Sequence, residues 1–221
     1  MSDDASPLAL RLPRLADVPS GVLDLEQVAW HRAARTELVR VEDGGRPRQP
    51  TVVRLGWTPE LLLVRFDCVD LEPWATLAGR DEPLWQEEVV ELFLAAGETD
   101  PATYVELEVN PLGALFDGLI ANPGLERAAL SANLAFDWPE VRWKAEALRQ
   151  PRGWWAALAL PWYGLPGAVV PARAGVRLRA NLFRIDRPHD APPEHSAWSP
   201  TRIVPADFHR PRRFGTLILD D

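Results

Sequence analysis

The carboxylates are the side chains best placed to do chemistry. Glu87, Glu88 and Glu91 lie close together, and Glu106 and Glu108 alternate along an extended run. Two carboxyl groups flanking a glycosidic bond can hydrolyse it, provided their separation is right and one is held protonated. Alternation from Tyr104 to Asn110 places Val105, Leu107 and Val109 inward and predicts that Glu106 and Glu108 lie on a solvated strand face. Glu91 differs, because it shares a face with Val89 and Phe93 and is expected to be semi-buried. A charge there needs partners, either an arginine of the protein or the hydroxyl groups of a ligand.

Other chemistries find little support. His31, His189, His195 and His209 are scattered rather than spaced as metal ligands. No nucleophile elbow, phosphate-binding loop, dinucleotide fingerprint or paired-histidine zinc helix is present. The single cysteine, Cys68, sits in an apolar run and reads as a buried, inert thiol. With Met1 the only methionine, a Met/His pair of haem ligands is excluded. A net charge of −8 argues against nucleic acid as a partner. No run of eighteen apolar residues is available to span a membrane. Met1-Ser2-Asp3-Asp4 lacks the basic and apolar regions of a secretory leader, so the expected location is cytoplasmic by default, or secreted if a leader has been removed.

The elements that must position these groups are strands. The chain has 221 residues, enough for one sizeable domain. Leu62, Val64, Phe66 and Cys68 share one face of a run ending at Asp70, and Asn110-Pro111-Leu112-Gly113 turns the Tyr104 strand back on itself. A hairpin is predicted across Gln150-Pro151-Arg152-Gly153, and Leu178, Ala180 and Leu182 form another inward face. Helical periodicity is scarce: Leu25 to Arg35 could hold two or three turns, and a short turn follows Pro161. Roughly ten strands without βαβ alternation imply an all-β fold, a two-sheet antiparallel sandwich of jelly-roll or immunoglobulin-like form with short helical turns. Residues 1–20 are expected to wrap an edge and 21–221 to form the sandwich. The chain also carries 10 tryptophans, more than a core of this size needs, so some are expected to form a recognition surface.

Trp85-Gln86-Glu87-Glu88-Val89-Val90-Glu91-Leu92-Phe93-Leu94 resembles the W-x-x-D-x-V-E-[IL]-F segment of family 9 carbohydrate-binding modules, members of the DOMON-like β-sandwich superfamily. Further pieces follow in that family's order: Tyr104 to Gly113 ending in N-P-x-G, Gly153-Trp154-Trp155, Asn181-x-x-Arg184-x-Asp186, Trp198-Ser199-Pro200 and His209-x-Pro211-x-x-Phe214-Gly215. The resemblance implies a non-catalytic module that holds a mono- or oligosaccharide between two aromatic rings, above polar side chains, and that can associate with a carbohydrate-active enzyme. Trp85 would be one wall and Phe208 the other, where sugar-binding members often have tryptophan. Glu91 would accept hydroxyl hydrogen bonds, with His209 and Trp198 as further ligand-binding positions. Alternation puts Asn181 and Phe183 on one face and Arg184 on the other, so Asn181 is the expected floor. Arg184 remains either a second floor residue or an ion-pair partner of Glu91 or Asp186. No cofactor is expected. The resemblance also implies structural calcium, but Asp67 to Asp70 with Glu72 is not a spaced calcium loop and no site is assigned. Two alternatives stand beside the binding module: a hydrolase using Glu91 with Glu87 or Glu106, and a protein-interaction domain on the same fold.

Overall fold

The computed structural model describes residues 8–15, 23–148 and 152–221. In chain order the strands are β1 (Ala9–Leu12), β2 (Ala34–Glu37), β3 (Val39–Arg40), β4 (Thr51–Trp57), β5 (Leu61–Val69), β6 (Val89–Ala96) and β7 (Thr103–Val109). They continue with β8 (Leu115–Ala121), β9 (Ser131–Asn133), β10 (Arg142–Leu148), β11 (Gly153–Pro161), β12 (Arg177–Asp186), β13 (Glu194–Ala197) and β14 (Gly215–Leu219). The larger sheet runs β1-β14-β12-β6-β7-β8-β9, with β13 joined to β12 and β3 to β13. The smaller runs β10-β11-β5-β4-β2. All pairings between strands are antiparallel except that of β1 with β14. The architecture is a two-sheet sandwich, and its helical content is confined to 3-10 turns.

Strand alternation delivers the inter-sheet core. Leu62, Val64 and Phe66 from the smaller sheet meet Leu92, Leu107, Leu178 and Leu182 from the larger. Large rings fill the rest: Trp57, Trp138, Trp154, Trp162 and Trp198 are all buried in this layer. Several satisfy the indole donor with a backbone carbonyl, as when Trp138 donates to Pro161 O at 3.1 Å and Trp162 to Thr58 O at 2.9 Å. Cys68 is a free, buried thiol, and burial pushes its pKa up to about 12.

The outer face of the larger sheet departs from the sequence expectation. Tyr104, Glu106, Glu108 and Asn110 do point away from the inter-sheet core, yet they are 1%, 6%, 0% and 0% exposed. Loops bearing Leu84, Phe208 and Phe214 close over this face and pack on Phe93, Phe116 and Phe183 in a second apolar cluster. Alternation identifies which face a residue is on; it cannot say that loops will cover that face.

Residues 23–33 cover the smaller sheet without forming the two or three helical turns expected. Asp24 accepts from Glu26 N at 3.0 Å, making a local turn, and the Trp30 indole donates to Leu25 O at 2.8 Å. The stretch therefore lays Leu25, Val28 and Trp30 on Leu63 and Trp155, with one 3-10 turn at Trp30–Arg32. Within 8–15, β1 pairs with β14 and Leu15 N donates to Trp57 O at 2.8 Å, so this segment reaches from one sheet to the other. Residues 1–7 and 16–20 of the proposed extension, and the Gln150-Pro151 step of the hairpin turn, lie outside the described residues. No helix among the described residues is long and apolar enough to cross a membrane.

Candidate ligand-binding site

Register places the candidate residues in two rows across the covered face. Phe183 of β12, Glu91 of β6, Glu108 of β7 and Phe116 of β8 are successive cross-strand partners. In the next row Asn181, Phe93, Glu106 and Gly118 stand opposite one another. Above Glu91 and Glu106 the covering loops leave a cavity of about 290 Å³. Its walls include Trp85, Phe116, Phe208 and His209, and Arg127 joins them from the 3-10 helix Arg127–Ala129.

Trp85 sits in the 3-10 helix Leu84–Gln86, anchored by the fully buried Leu84. Its ring meets Phe116 edge-on, 5.3 Å between centroids and 77° between planes, and the residue remains 39% exposed. Glu87 steadies this turn rather than joining the cavity. It accepts from Thr76 N at 2.7 Å and Leu77 N at 3.1 Å, and from the Thr76 hydroxyl. Phe208 lies flat on Phe183, 4.1 Å away with planes 9° apart, and takes an edge contact from His195. One face of Phe208 is thus occupied within the protein, and the residue is only 8% exposed.

His209 Nδ1 is 2.8 Å from the Tyr104 hydroxyl. Burial, reinforced by the positive charge of Arg127, pushes the His209 pKa down to about 4, so the ring is neutral near pH 7. Burial also raises the Tyr104 pKa and keeps its hydroxyl protonated. The direction of this bond sets the tautomer: where the hydroxyl donates, Nε2 carries the ring proton, and where Nδ1–H donates, Nε2 is an acceptor; in either form the ring lines the cavity.

Beneath lie three carboxylates, Glu91, Glu106 and Glu108, each offering an oxygen within 4.8 Å of the others. All three are buried. Burial first, and then the Glu106 charge, holds Glu91 well above the usual carboxylate range, with Arg127 opposing. Burial likewise raises Glu108, aided by Glu91 and Glu106, and carries Glu106 up to about 7. The Glu106 and Glu108 carboxyl groups lie within hydrogen-bonding reach of each other and the Trp85 N–H faces Glu108, whereas Glu91 Oε1 has no hydrogen-bond partner among the described residues.

A sequence profile for carbohydrate-binding family 9 matches residues 21–219, nearly the whole of this sandwich. The chain belongs to carbohydrate-binding family 9. Among its relatives is an "Extracellular protein" of Arthroderma benhamiae, 26% identical over 181 residues that make up 74% of this chain and 76% of that one. A candidate carbohydrate-binding protein from Bacteroides uniformis has a similar structure, with TM-score 0.77 and 18% identity over 97% of this chain and 100% of that one. So does a family 9 carbohydrate-binding module from Caldicellulosiruptor kristjanssonii. In its complex with cellotriose the TM-score is 0.64 at 14% identity, covering 96% of this chain and 93% of that one. In its complex with glucose the TM-score is 0.62.

In this family 9 chain the cavity gathers Trp85, Glu91, Phe208 and His209, but not Asn181, Arg184 or Trp198. Asn181 is on the expected face, but its amide donates to Ser199 O at 2.8 Å and accepts from Ser199 N at 2.9 Å. It clamps the start of the loop that carries Phe208 and His209. Arg184 points between the sheets, as strict alternation requires, with no bulge to turn it round. There it donates to Asp70 and Glu88 at 2.8 Å each, to Asp186 at 3.3 Å and to Val69 O at 2.9 Å. Its carboxylate partners include Asp186 but not Glu91. Trp198 follows β13, bonds through its N–H to Leu182 O, and lies so close to Gly215 that a Cβ there would sit 2.5 Å from the indole.

Sequence reasoning missed Phe116 and Arg127 as lining residues, and it brought Glu106 to Glu91 only in the hydrolase alternative while expecting it on a solvated face. The shared face of Glu106 and Glu91 depends on the register in which β6 and β7 pair, which no single strand reveals. Phe116 follows from the same register. Arg127 rides on a loop turn and left no periodic signal. Of the two carboxylate groups able to converge on an ion, Asp70 with Glu88 and Asp186 does not suit the calcium implied by the resemblance, because the Arg184 guanidinium already sits among them. Trp154 also donates to Glu88 at 2.9 Å.

Proposed function

We propose that this chain is a non-catalytic carbohydrate-binding protein that seats one sugar ring in the cavity beside Trp85. The observation that carries the reading is the exposure of Trp85. The chain buries most of its tryptophans, yet this ring is 39% exposed at the mouth of a cavity whose floor is polar. A pyranose has apolar C–H faces and polar equatorial hydroxyls. A flat indole suits the first, and Glu91, Glu106 and the His209 imidazole suit the second. Just under the ~300–1,000 Å³ of typical ligand sites, the cavity suits a single ring rather than a long chain. The solved family 9 complexes with cellotriose and glucose support the same ligand class.

Binding is favoured over hydrolysis by the placement of the carboxylates. Hydrolytic pairs flank the bond from opposite sides, commonly ~5 Å or more apart. Here all three rise from one face of the sheet, with oxygens within 4.8 Å of one another, so none of them stands across the cavity from the others. One ring stack contributes on the order of 1 kcal/mol, so affinity in the ~µM to mM range is expected. Titrating glucose, xylose, cellobiose and cellotriose while following tryptophan fluorescence tests this. A saturable change in wild type that disappears in Trp85→Ala is expected, and silence across the panel would sink the reading.

A further inference from the structure

Where the floor of the cavity is acidic, its β8–β9 wall is aliphatic. Ile120 of β8 and Ala132 of β9 are cross-strand partners, and alternation turns Leu130 and Leu134, on either side of β9, the same way as Ala132. All four line the cavity. Packing accounts for two of them: Ile120 is buried within the second apolar cluster, and Leu130 is half-buried against it. It does not account for Leu134, which is 54% exposed and belongs to none of the three apolar clusters. Ala132 is exposed as well. The turn that presents Leu134 is held in place, since the Asn133 side chain accepts from Ala135 N at 3.1 Å and the Asn133 carbonyl from Phe136 N at 3.4 Å. An apolar row therefore stands open to solvent along one side of the cavity.

Such a wall is a poor match for the polar rim of a sugar ring. A hydroxyl laid against Ile120 or Leu134 would leave water and gain no partner, which weakens binding. The cavity groups that can replace that water, Glu91, Glu106 and His209, come instead from β6, from β7 and from the loop that also carries Phe208. Arg127, at the rim near Leu130, is already paired with Asp207 at 3.4 Å. We infer that the wall formed by Ile120, Leu130, Ala132 and Leu134 receives an apolar group attached to the sugar, so that the preferred ligand is a glycoside with a short alkyl or aryl aglycone rather than a free sugar. The anomeric position suits this division, because a substituent there replaces one hydroxyl and leaves the C–H faces for Trp85 and the other hydroxyls for the floor. This inference rests on the sugar-binding reading and names the kind of sugar.

The test is calorimetric titration of the full chain with glucose, xylose and the methyl and phenyl glycosides of each, in both anomeric forms. In wild type one phenyl glycoside should bind at least about fivefold more tightly than its methyl counterpart, the gain from covering part of an aromatic ring. Leu134→Ser, at a position too exposed to alter the thermal melt, should bring that ratio close to one. Leu71→Ser, which removes an equally exposed leucine outside the cavity, should leave the ratio at its wild-type value. A ratio near one in wild type, or a high ratio that survives Leu134→Ser, overturns the aglycone wall, and binding of the free sugars in the same experiment leaves the sugar-binding reading standing. Absence of binding by every sugar and glycoside overturns both.

Discussion

Phe183 and Arg184 are neighbours in β12 and look to opposite sides of the larger sheet. Phe183 lies under Phe208 beside the cavity, 4.1 Å from it, while Arg184 is buried between the sheets among Asp70, Glu88 and Asp186. One strand thus supports the site on one face and ties the two sheets together on the other. The ties are specific, since Asp70 follows β5 in the smaller sheet and Glu88 precedes β6 in the larger.

Removing Arg184 should therefore damage the fold and spare the site. Arg184→Met leaves three buried carboxylates facing one another, and breaking a buried pair in this way costs about 3–5 kcal/mol. Burial, followed by the proximity of Asp70, already pushes Glu88 up to about 8 despite the guanidinium. Urea denaturation should show the loss, while sugar affinity of the protein that remains folded stays at the wild-type level. A large change in affinity without a change in stability would place Arg184 at the ligand instead.

The fold and the site are legible in the sequence to different depths, and the reason is range. Alternation within single strands suffices to identify the inter-sheet faces of β5, β7 and β12 and to put Arg184 opposite Phe183. It does not reveal that Glu106 and Glu108 are buried, because the loops that cover them come from residues far away in the chain. Nor does it exclude Trp198 from the site. The place of that ring is decided by the missing side chain of Gly215 and by a backbone bond to Leu182, both long-range facts. Trp85 and Glu91 stand out in the sequence because the same short segment carries both.

Trp85 and Phe208 line one cavity but should answer to different assays. Trp85 is exposed and touches Phe116 only by its edge, so Trp85→Ala should change stability by less than about 1 kcal/mol. Its affinity for sugar should fall by at least about fivefold, the loss of one ring stack. Phe208 stacks on Phe183 and is nearly buried, so Phe208→Ala should cost about 3 kcal/mol of stability by the cavity it leaves. Paired thermal melts and fluorescence titrations decide this, and equal stability losses in the two variants would contradict it.

Asn181 is predicted to position rather than to bind. Its amide joins both the N–H and the carbonyl of Ser199, and this clamp fixes the start of the loop that ends in Phe208 and His209. Asn181→Ala leaves both Ser199 groups without that partner and should cost about 1–3 kcal/mol for each that stays dry. Hydrogen exchange at the Ser199 amide should accelerate in the variant. If exchange is unchanged while sugar affinity collapses, Asn181 touches the ligand after all.

His209 should contribute with a definite sign to the pH dependence of stability in acid. Its folded pKa is depressed to about 4, against an ordinary value of 6.5, because burial and the nearby Arg127 disfavour the imidazolium. Between these values the His209 site binds more protons in the unfolded chain than in the folded one, so its own contribution to stability falls as the solution is acidified, opposite in sign to that of Glu88, Glu91, Glu106 and Glu108, whose raised values favour the protonated folded state. The contribution is fully present above pH 6.5, is lost progressively as pH falls through 4, and amounts to about 3 kcal/mol over that window. Protonation would also place a charge beside the Tyr104 hydroxyl and make Nδ1 a donor only. His209→Gln, which keeps an acceptor within reach of that hydroxyl but does not titrate, removes this contribution alone, so the stability of wild type relative to the variant should fall by about 3 kcal/mol between pH 6.5 and 4. Urea denaturation of both proteins across this range measures it; parallel curves would mean that His209 is as easily protonated in the folded state as in the unfolded one.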